Sequence, residues 1–393
     1  MQIKLIKSTF HNEDQTKHDL SEFILKSSKL SMGDECSLYE KEFSNFQGRK
    51  YTTMYNSGSS ANLALIQALL NLERLKVGDI CAFSSVTWST NVMPIIQLGL
   101  SPIPVDVNLS NLNVGSKEFL RTLSMYPNIK CLFITNILGF CSDIDKIREI
   151  CDEKKIILIE DNCESLGTEY KNKKLGNFGI ASTCSSFVGH HLSTIEGGTI
   201  STDDEELSNM LKIVRAHGWN RNLDSDLKVK MRKDNSISNF YDTYTFYDLA
   251  YNLRPSEING FLGRKQIKYI EENISSRQKN FENLNDSIKD KNNLLEINNE
   301  KITRLSNFAF PIVYKNKDDI SHAVNLFNDS GVEIRPIVAG NITNQPFYKK
   351  YSKHKKIELS NADHIHAHGF YLPNHPELNM DEISYLKDLI NKI

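Results

Sequence analysis

Between Ser57 and about Ser201, short apolar runs alternate with stretches of helical periodicity, and this alternation leaves few architectures open. "ANLALIQALLNLERL" carries apolar residues at helical spacing, and "GDICAFSS" after it reads as a strand ending in small polar residues. "SPIPVDV", "IKCLFITNI" and "KKIILIEDN" read as further strands, the last preceded by a helix, "DIDKIREICDEKK". Strands joined by helices rather than tight turns predict an α/β fold with a mostly parallel central sheet flanked by helices. Ligands of such sheets bind at the carboxyl ends of the strands. "FSSVTW", "EDN" and "SSFVGHH" all fall at such ends.

From about Gly260 the composition changes. "RKQIKYIEENISSRQKNFENLNDSIKDKNNLLEI" reads as a long charged helix leaving the first unit. "NFAFPIVYK", a helix in "DISHAVNLFNDSG" and a strand in "VEIRPIV" then form a smaller α/β unit. A chain of 393 residues is long for one core. The expected division is 1–260, a large ligand-binding domain with an N-terminal segment, and 261–393, a smaller C-terminal domain. The polar "NLDSDLKVKMRKDNSISN" between them is expected to be a loop.

The formal net charge of −2 makes no case for a nucleic-acid partner. No apolar run approaches the roughly 18 residues that span a bilayer, and "MQIKLIKSTFHNEDQTKHDL" has no signal-peptide core. The seven cysteines, Cys36, Cys81, Cys131, Cys141, Cys151, Cys163 and Cys184, form no CxxC pair. They read as reduced thiols of a cytoplasmic protein, with no metal site.

Three strand-end motifs carry chemistry. "YNSGSSANLAL" sets Gly58 and Ser59 at a helix start, where free N–H groups and hydroxyls can cradle a phosphate; an ordinary capped glycine turn has the same look. In "VTWST", Trp88 could stack on a flat aromatic cofactor or simply pack. In "LIEDNCESLG", Asp161 ends an apolar strand and Glu164 follows. A carboxylate there suits a protonated ring nitrogen such as the pyridinium of pyridoxal phosphate (PLP), or a helix cap.

Taken in order, "NSGSSANL", "EDNCESLG", "SSFVGHHLSTIEGGTIST", "RAHGWNR" and "YNLRPSEINGFLGRKQI" resemble the DegT/DnrJ/EryC1/StrS family of PLP-dependent sugar aminotransferases over essentially the whole chain. The resemblance implies the aspartate aminotransferase (type I) fold and a homodimer with shared active sites. In the family's aminotransferases a lysine that binds PLP covalently precedes the glycine pair. Counting back from Glu196-Gly197-Gly198, His190 holds that position, and no lysine occurs between Lys174 and Lys212. An imidazole cannot form that link but is a competent base near neutral pH.

The histidine-for-lysine branch of the family consists of 3-dehydratases of nucleotide-linked 4-keto-6-deoxy sugars. They use pyridoxamine 5′-phosphate (PMP), non-covalently held. "VEIRPIVAGNITNQPFY" resembles a segment of this branch that closes over the substrate, although a plain Gly-Asn turn reads equally. One type carries an iron–sulfur cluster, which needs cysteines beyond the glycine pair. Here the last is Cys184, so the resemblance points to the cluster-free type, which acts on GDP-sugars (hexose or heptose) and regenerates PMP from L-glutamate.

The resemblance assigns His190 as base, with His191 turned away. Gly58, Ser59 and Ser185 would hold the cofactor phosphate, Trp88 its ring face, Asp161 the ring nitrogen, and Glu164 its hydroxyl or amine region. Asn252 would reach the phosphate across the dimer. His217, Arg221, Arg254 and Arg335 are the candidates for the sugar nucleotide. An aminotransferase using another lysine, or a non-catalytic sugar-nucleotide binder, are the alternatives.

Overall fold

The computed structural model describes residues 1–289, 291–316, 320–352 and 357–393. Seven strands build the central sheet: β1 (Tyr51–Tyr55), β2 (Ile80–Ser84), β3 (Ser101–Val105), β4 (Ile129–Thr135), β5 (Ile157–Asp161), β6 (Ala181–Ser185) and β7 (Gly198–Thr202). Their spatial order is β1-β7-β6-β5-β4-β2-β3. The run from β3 to β6 is parallel, and β7 lies antiparallel to both β6 and β1. The strands expected in "GDICAFSS", "SPIPVDV", "IKCLFITNI" and "KKIILIEDN" are all present, with β1, β6 and β7 in addition.

Period-two alternation distributes the strand side chains between two cores. Ala82, Leu132 and Ile134 enter one, while Cys81, Phe83, Cys131 and Phe133 enter the other. The second core takes the buried face of the helix Gly58–Asn71, through Ala61, Leu65 and Leu69. The first continues without a break into the C-terminal unit, through Phe281, Phe310, Phe370 and Leu386. That unit is an antiparallel sheet of Phe310–Val313, Gly369–Leu372 and Arg335–Pro336, flanked by Ser321–Asp329 and Met380–Asn391. Ile3, near the start of the chain, bridges to Val332 of the same unit.

Three expectations are corrected. The charged stretch after 260 is not one helix: Glu257–Gln266 gives way to a tight turn at Ile267–Tyr269, then to Ile270–Asn285, where it stops. The Asn/Asp/Ser-rich run beyond offers side-chain partners that compete with helical bonding, and Asp290 lies outside the described residues. The segment expected as a loop holds a helix, Ser225–Asp234, with no buried residue. Its long unbranched side chains favour helix, but its apolar residues Leu227, Val229 and Met231 fall two apart rather than at helical spacing, so the sequence shows no helical period. "VEIRPIV" contributes only Arg335–Pro336 as strand. The helix expected in "DISHAVNLFNDSG" is present as Ser321–Asp329, Asp319 lying outside the described residues. Among the described residues, no helix is long and apolar enough to cross a membrane.

Candidate active site

At the carboxyl ends of β2, β4, β5 and β6 lies a cavity of about 600 Å³, roofed by the C-terminal unit and by Leu5 and Ile6. Asp161, the last residue of β5, is 3 % exposed in its wall. Strand alternation sends its neighbour Glu160 to the other face, where Asn136, Gly176, Phe178 and Gly179 donate to its carboxylate. Asp161 is held for the cavity. Its Oδ2 accepts from Asn62 at 3.0 Å and Asn91 at 2.7 Å, and its Oδ1 from the Cys163 N–H at 2.9 Å. All three donors are neutral. A buried carboxylate with no cation beside it fits a protonated ring nitrogen of a bound group.

The helix Gly58–Asn71 opens into the same cavity. Ser57 caps it, its Oγ accepting from the Ser60 N–H at 3.0 Å. The helix start lies against Ser185 in the same lining, an arrangement suited to an anion. The approach is too close for any side chain on Gly58: a Cβ there would lie 2.7 Å from Ser185 Cβ. Ser59 is exposed at the cavity edge, and Trp88, 57 % exposed, stands at the mouth.

The histidine turn is built on backbone contact. Ser186 N–H donates to the Gly197 carbonyl at 2.9 Å and Thr194 N–H to the Ser186 carbonyl at 2.8 Å, closing the loop that carries His190. Gly198 lies against Ser57, where a Cβ would meet the carbonyl oxygen at 2.4 Å, so the glycine pair lets the turn dock on the phosphate-type cradle. His190 lines the cavity, its ring 5.3 Å from that of Phe308. Burial pushes its imidazole down to about 4, against the opposing pull of Asp161. His191 turns away and is buried, its Nε2 3.1 Å from the Ser306 carbonyl. Burial also raises Glu164, at the cavity wall, to about 7, although its Oε2 accepts from the Leu138 N–H at 2.8 Å. No lysine lines the cavity among the described residues.

Gly58, Ser59, Trp88, Asp161, Glu164, Ser185, His190 and Arg335 thus share one cavity. Arg335 enters from the C-terminal unit with Glu333 as its ion-pair partner. Asn252, His217, Arg221 and Arg254 do not line it. They gather around Trp219: the Arg221 guanidinium lies 3.8 Å from the indole and Arg254 5.8 Å, while Arg254 Nε donates to Asn252 Oδ1 at 2.9 Å. Sequence reasoning missed Asn62, Asn91, Phe308, Tyr371 and Asn374. Asn62 left a signal, a polar residue on the buried face of an apolar helix; the others come from loops and from the second unit, and left none.

A buried carboxylate suited to a pyridinium, a helix start suited to a phosphate and a histidine in the same cavity fit a pyridoxal-phosphate-type site on a type I fold. The chain belongs to the DegT/DnrJ/EryC1/StrS aminotransferase family, whose pattern it matches over residues 11–391. It is 36% identical over 384 residues to GDP-4-keto-6-deoxy-D-mannose 3-dehydratase of Escherichia coli O55:H7, covering 96% of this chain and 97% of that one. To the Yersinia pseudotuberculosis protein of the same name it is 34% identical over 386 residues, covering 96% and 95%. A crystal structure of GDP-4-keto-6-deoxymannose-3-dehydratase with a trapped PLP-glutamate geminal diamine superposes with a TM-score of 0.90 at 35% identity, over 99% of this chain and 100% of that one. The Helicobacter pylori aminotransferase PseC, 21% identical with a TM-score of 0.82, shares the fold.

Proposed function

We propose that the protein is a PLP/PMP-dependent 3-dehydratase of a GDP-linked 4-keto-6-deoxy sugar, mannose or the corresponding heptose. It releases the 3-deoxy-4-keto sugar and ammonia, with L-glutamate as amino donor, for the synthesis of a dideoxy sugar of a surface polysaccharide. One observation carries this reading: beside a carboxylate fitted to a pyridinium, the cavity wall offers a histidine and, among the described residues, no lysine.

When bound, the cofactor supplies an electron sink conjugated to the sugar. The chain supplies the rest. Gly58, Ser59 and Ser185 hold the phosphate at the helix start. Asp161, fixed by Asn62 and Asn91, keeps the ring nitrogen protonated; Trp88 covers the ring face, and Glu164 meets its hydroxyl or amine region. His190, uncharged at neutral pH, moves a proton at the cofactor's C4′ carbon and gives it up as the C3 oxygen departs. With no lysine to hold the cofactor covalently, retention depends on these non-covalent contacts. Residues 261–393 close the roof, and Arg335 grips the substrate's diphosphate.

We further infer a homodimer, located in the cytoplasm. Asn252, Arg254, Arg221 and His217 stand beside an exposed apolar band, Phe240, Tyr241, Tyr244, Phe246 and Leu249. Such a band favours a covering partner, which would bring Asn252 and the basic residues to the neighbour's cavity. Six of the seven thiols are buried and none is bridged, which suits a reducing compartment.

The test is an assay with GDP-4-keto-6-deoxymannose, PLP and glutamate that follows ammonia, 2-oxoglutarate and the mass of the sugar. Ammonia with loss of the C3 oxygen is expected. An aminated sugar that keeps this oxygen would overturn the dehydratase in favour of an aminotransferase. Formation of 2-oxoglutarate with the sugar untouched would overturn the choice of substrate alone.

A further inference from the structure

Behind the histidine turn, on the helix Ile270–Asn285, Arg277 is 4 % exposed. Its Nη1 donates to the main-chain carbonyls of Phe308, at 2.8 Å, and Asn374. Its Nε has no partner, and among the described residues no carboxylate pairs with it. Burial lowers its guanidinium only to about 10, so it stays charged at neutral pH. A buried cation without a counter-ion is costly, and its field is poorly screened.

That field falls on the base. Both carbonyls that hold Arg277 belong to residues lining the active-site cavity, and the Phe308 ring packs on those of His190 and His191. A second cavity, of about 50 Å³, is lined by His190, His191, Asn273, Arg277 and His375. The three Nδ1 atoms, Asn273 Oδ1 and Arg277 Nε of these residues are all buried without partners. The Ser306 carbonyl can only accept, so His191 carries its proton on Nε2, and burial keeps the ring neutral with a bare Nδ1.

The other charged or titratable groups around His190 are Asp161, Cys163 and Glu164 at the end of β5, Glu196 on the turn, Glu333, Arg335 and Tyr371 of the C-terminal unit, and, around the smaller cavity, His11, His191, His375, Glu377 and Lys7, the last paired with Glu382. Arg335 is paired with Glu333, which leaves Arg277 as the uncompensated cation of the set. Burial is the strongest influence against the imidazolium; Asp161 favours it, and Arg277 adds to the opposition.

We infer that Arg277 is a positioning residue for the base: a buried, unpaired cation that fixes the Phe308 roof over His190 and keeps the imidazole uncharged until it takes its proton. This rests on the reading of His190 as the base. The imidazole accepts one proton from carbon. Beside Arg277 the resulting imidazolium is a stronger acid than an ordinary one, and it passes the same proton to the oxygen leaving C3. The C–O bond breaks with its electron pair on oxygen, the pair left behind by the C–H bond makes good the loss at C3, water departs, and the ring is neutral again.

NMR of the full chain with labelled histidine imidazoles reads this directly, the His190 signal being identified by its loss in His190→Gln. In the wild type the ring should stay uncharged down to about pH 5, a unit above its value of about 4. In Arg277→Met its midpoint should rise by on the order of one pH unit, and Arg277→Lys should restore it. Arg277→Gln, which keeps a donor for the Phe308 carbonyl, serves if the methionine variant does not fold. An unmoved midpoint overturns the inference, and so does a wild-type ring that protonates near the ordinary value of about 6.5, with no variant required. A shifted midpoint in a protein that never dehydrates GDP-sugars supports the role of Arg277 and overturns the proposed reaction instead.

Discussion

Asp161 and His190 face one cavity but are prepared in opposite ways. The carboxylate is supplied with three neutral donors, and the imidazole is stripped of solvent. Removing either amide leaves part of a buried charge unsolvated. Asn91→Leu should therefore weaken PLP binding by about 10- to 100-fold, the equivalent of one hydrogen bond to a charged group, measured by titrating the apoprotein and following cofactor absorbance. His190→Gln should leave that affinity within a few-fold and lower kcat for dehydration by about 10²–10⁴. The split between binding and turnover distinguishes the two residues. Equal losses of affinity in both variants would show instead that the turn, not the imidazole, matters. The acidic pair at the end of β5 was visible in the sequence, and parity along the strand tells which of Glu160 and Asp161 enters the cavity once its face is known. Asn91 was not legible, because a polar residue in the single 3-10 turn Ser89–Asn91 has no periodic neighbour to make it conspicuous.

At the scale of elements, the cavity depends on two contacts without side chains: Gly58 on Ser185 and Gly198 on Ser57. Gly198→Ala should cost about 1–3 kcal/mol through overpacking, read from urea unfolding midpoints, with a parallel loss of PLP affinity as the histidine turn lifts from the helix start. A second joint lies farther off. Glu257, buried on the helix Glu257–Gln266, accepts from the N–H groups of Gly33, Glu35 and Cys36 and so caps the helix Asp34–Gln47 from another part of the chain. Glu257→Leu should destabilise by about 2–3 kcal/mol, since it leaves buried donors unpaired, without changing the pH profile of turnover. The helix Asp34–Gln47 has no side-chain cap of its own. No local pattern marks Glu257 as that cap, because the two partners lie 224 residues apart in the case of Gly33.

For the whole molecule, three buried histidines set the response to acid. His190, His191 and His375 are all pushed below the ordinary range by burial. The unfolded chain binds protons at these rings near pH 6.5, whereas the folded chain does so near 4 at His190 and His375 and well below the ordinary value at His191, so stability is present above about 6.5 and is lost as the pH falls toward 4. Glu164, raised to about 7, acts in the opposite sense and loses stability as the pH rises through that value. Three groups outweigh one, so urea midpoints should fall steadily from pH 6.5 to 4.5. A flat profile would mean the rings titrate normally in the fold. Association is the other property at this scale. Mixing His190→Gln with Arg254→Ala, each inactive alone, should restore up to about a quarter of wild-type turnover if a symmetric dimer shares its sites. No recovery after exchange of subunits would confine each site to one chain. By itself the sequence determined the parallel sheet, the strand ends that bear the site, and the exchange of lysine for histidine, because these are local patterns of spacing and residue type. Only the tertiary structure decided which residues hold Asp161, what roofs His190, and where Arg277 is buried, because those contacts join segments far apart in the chain, and no periodicity records them.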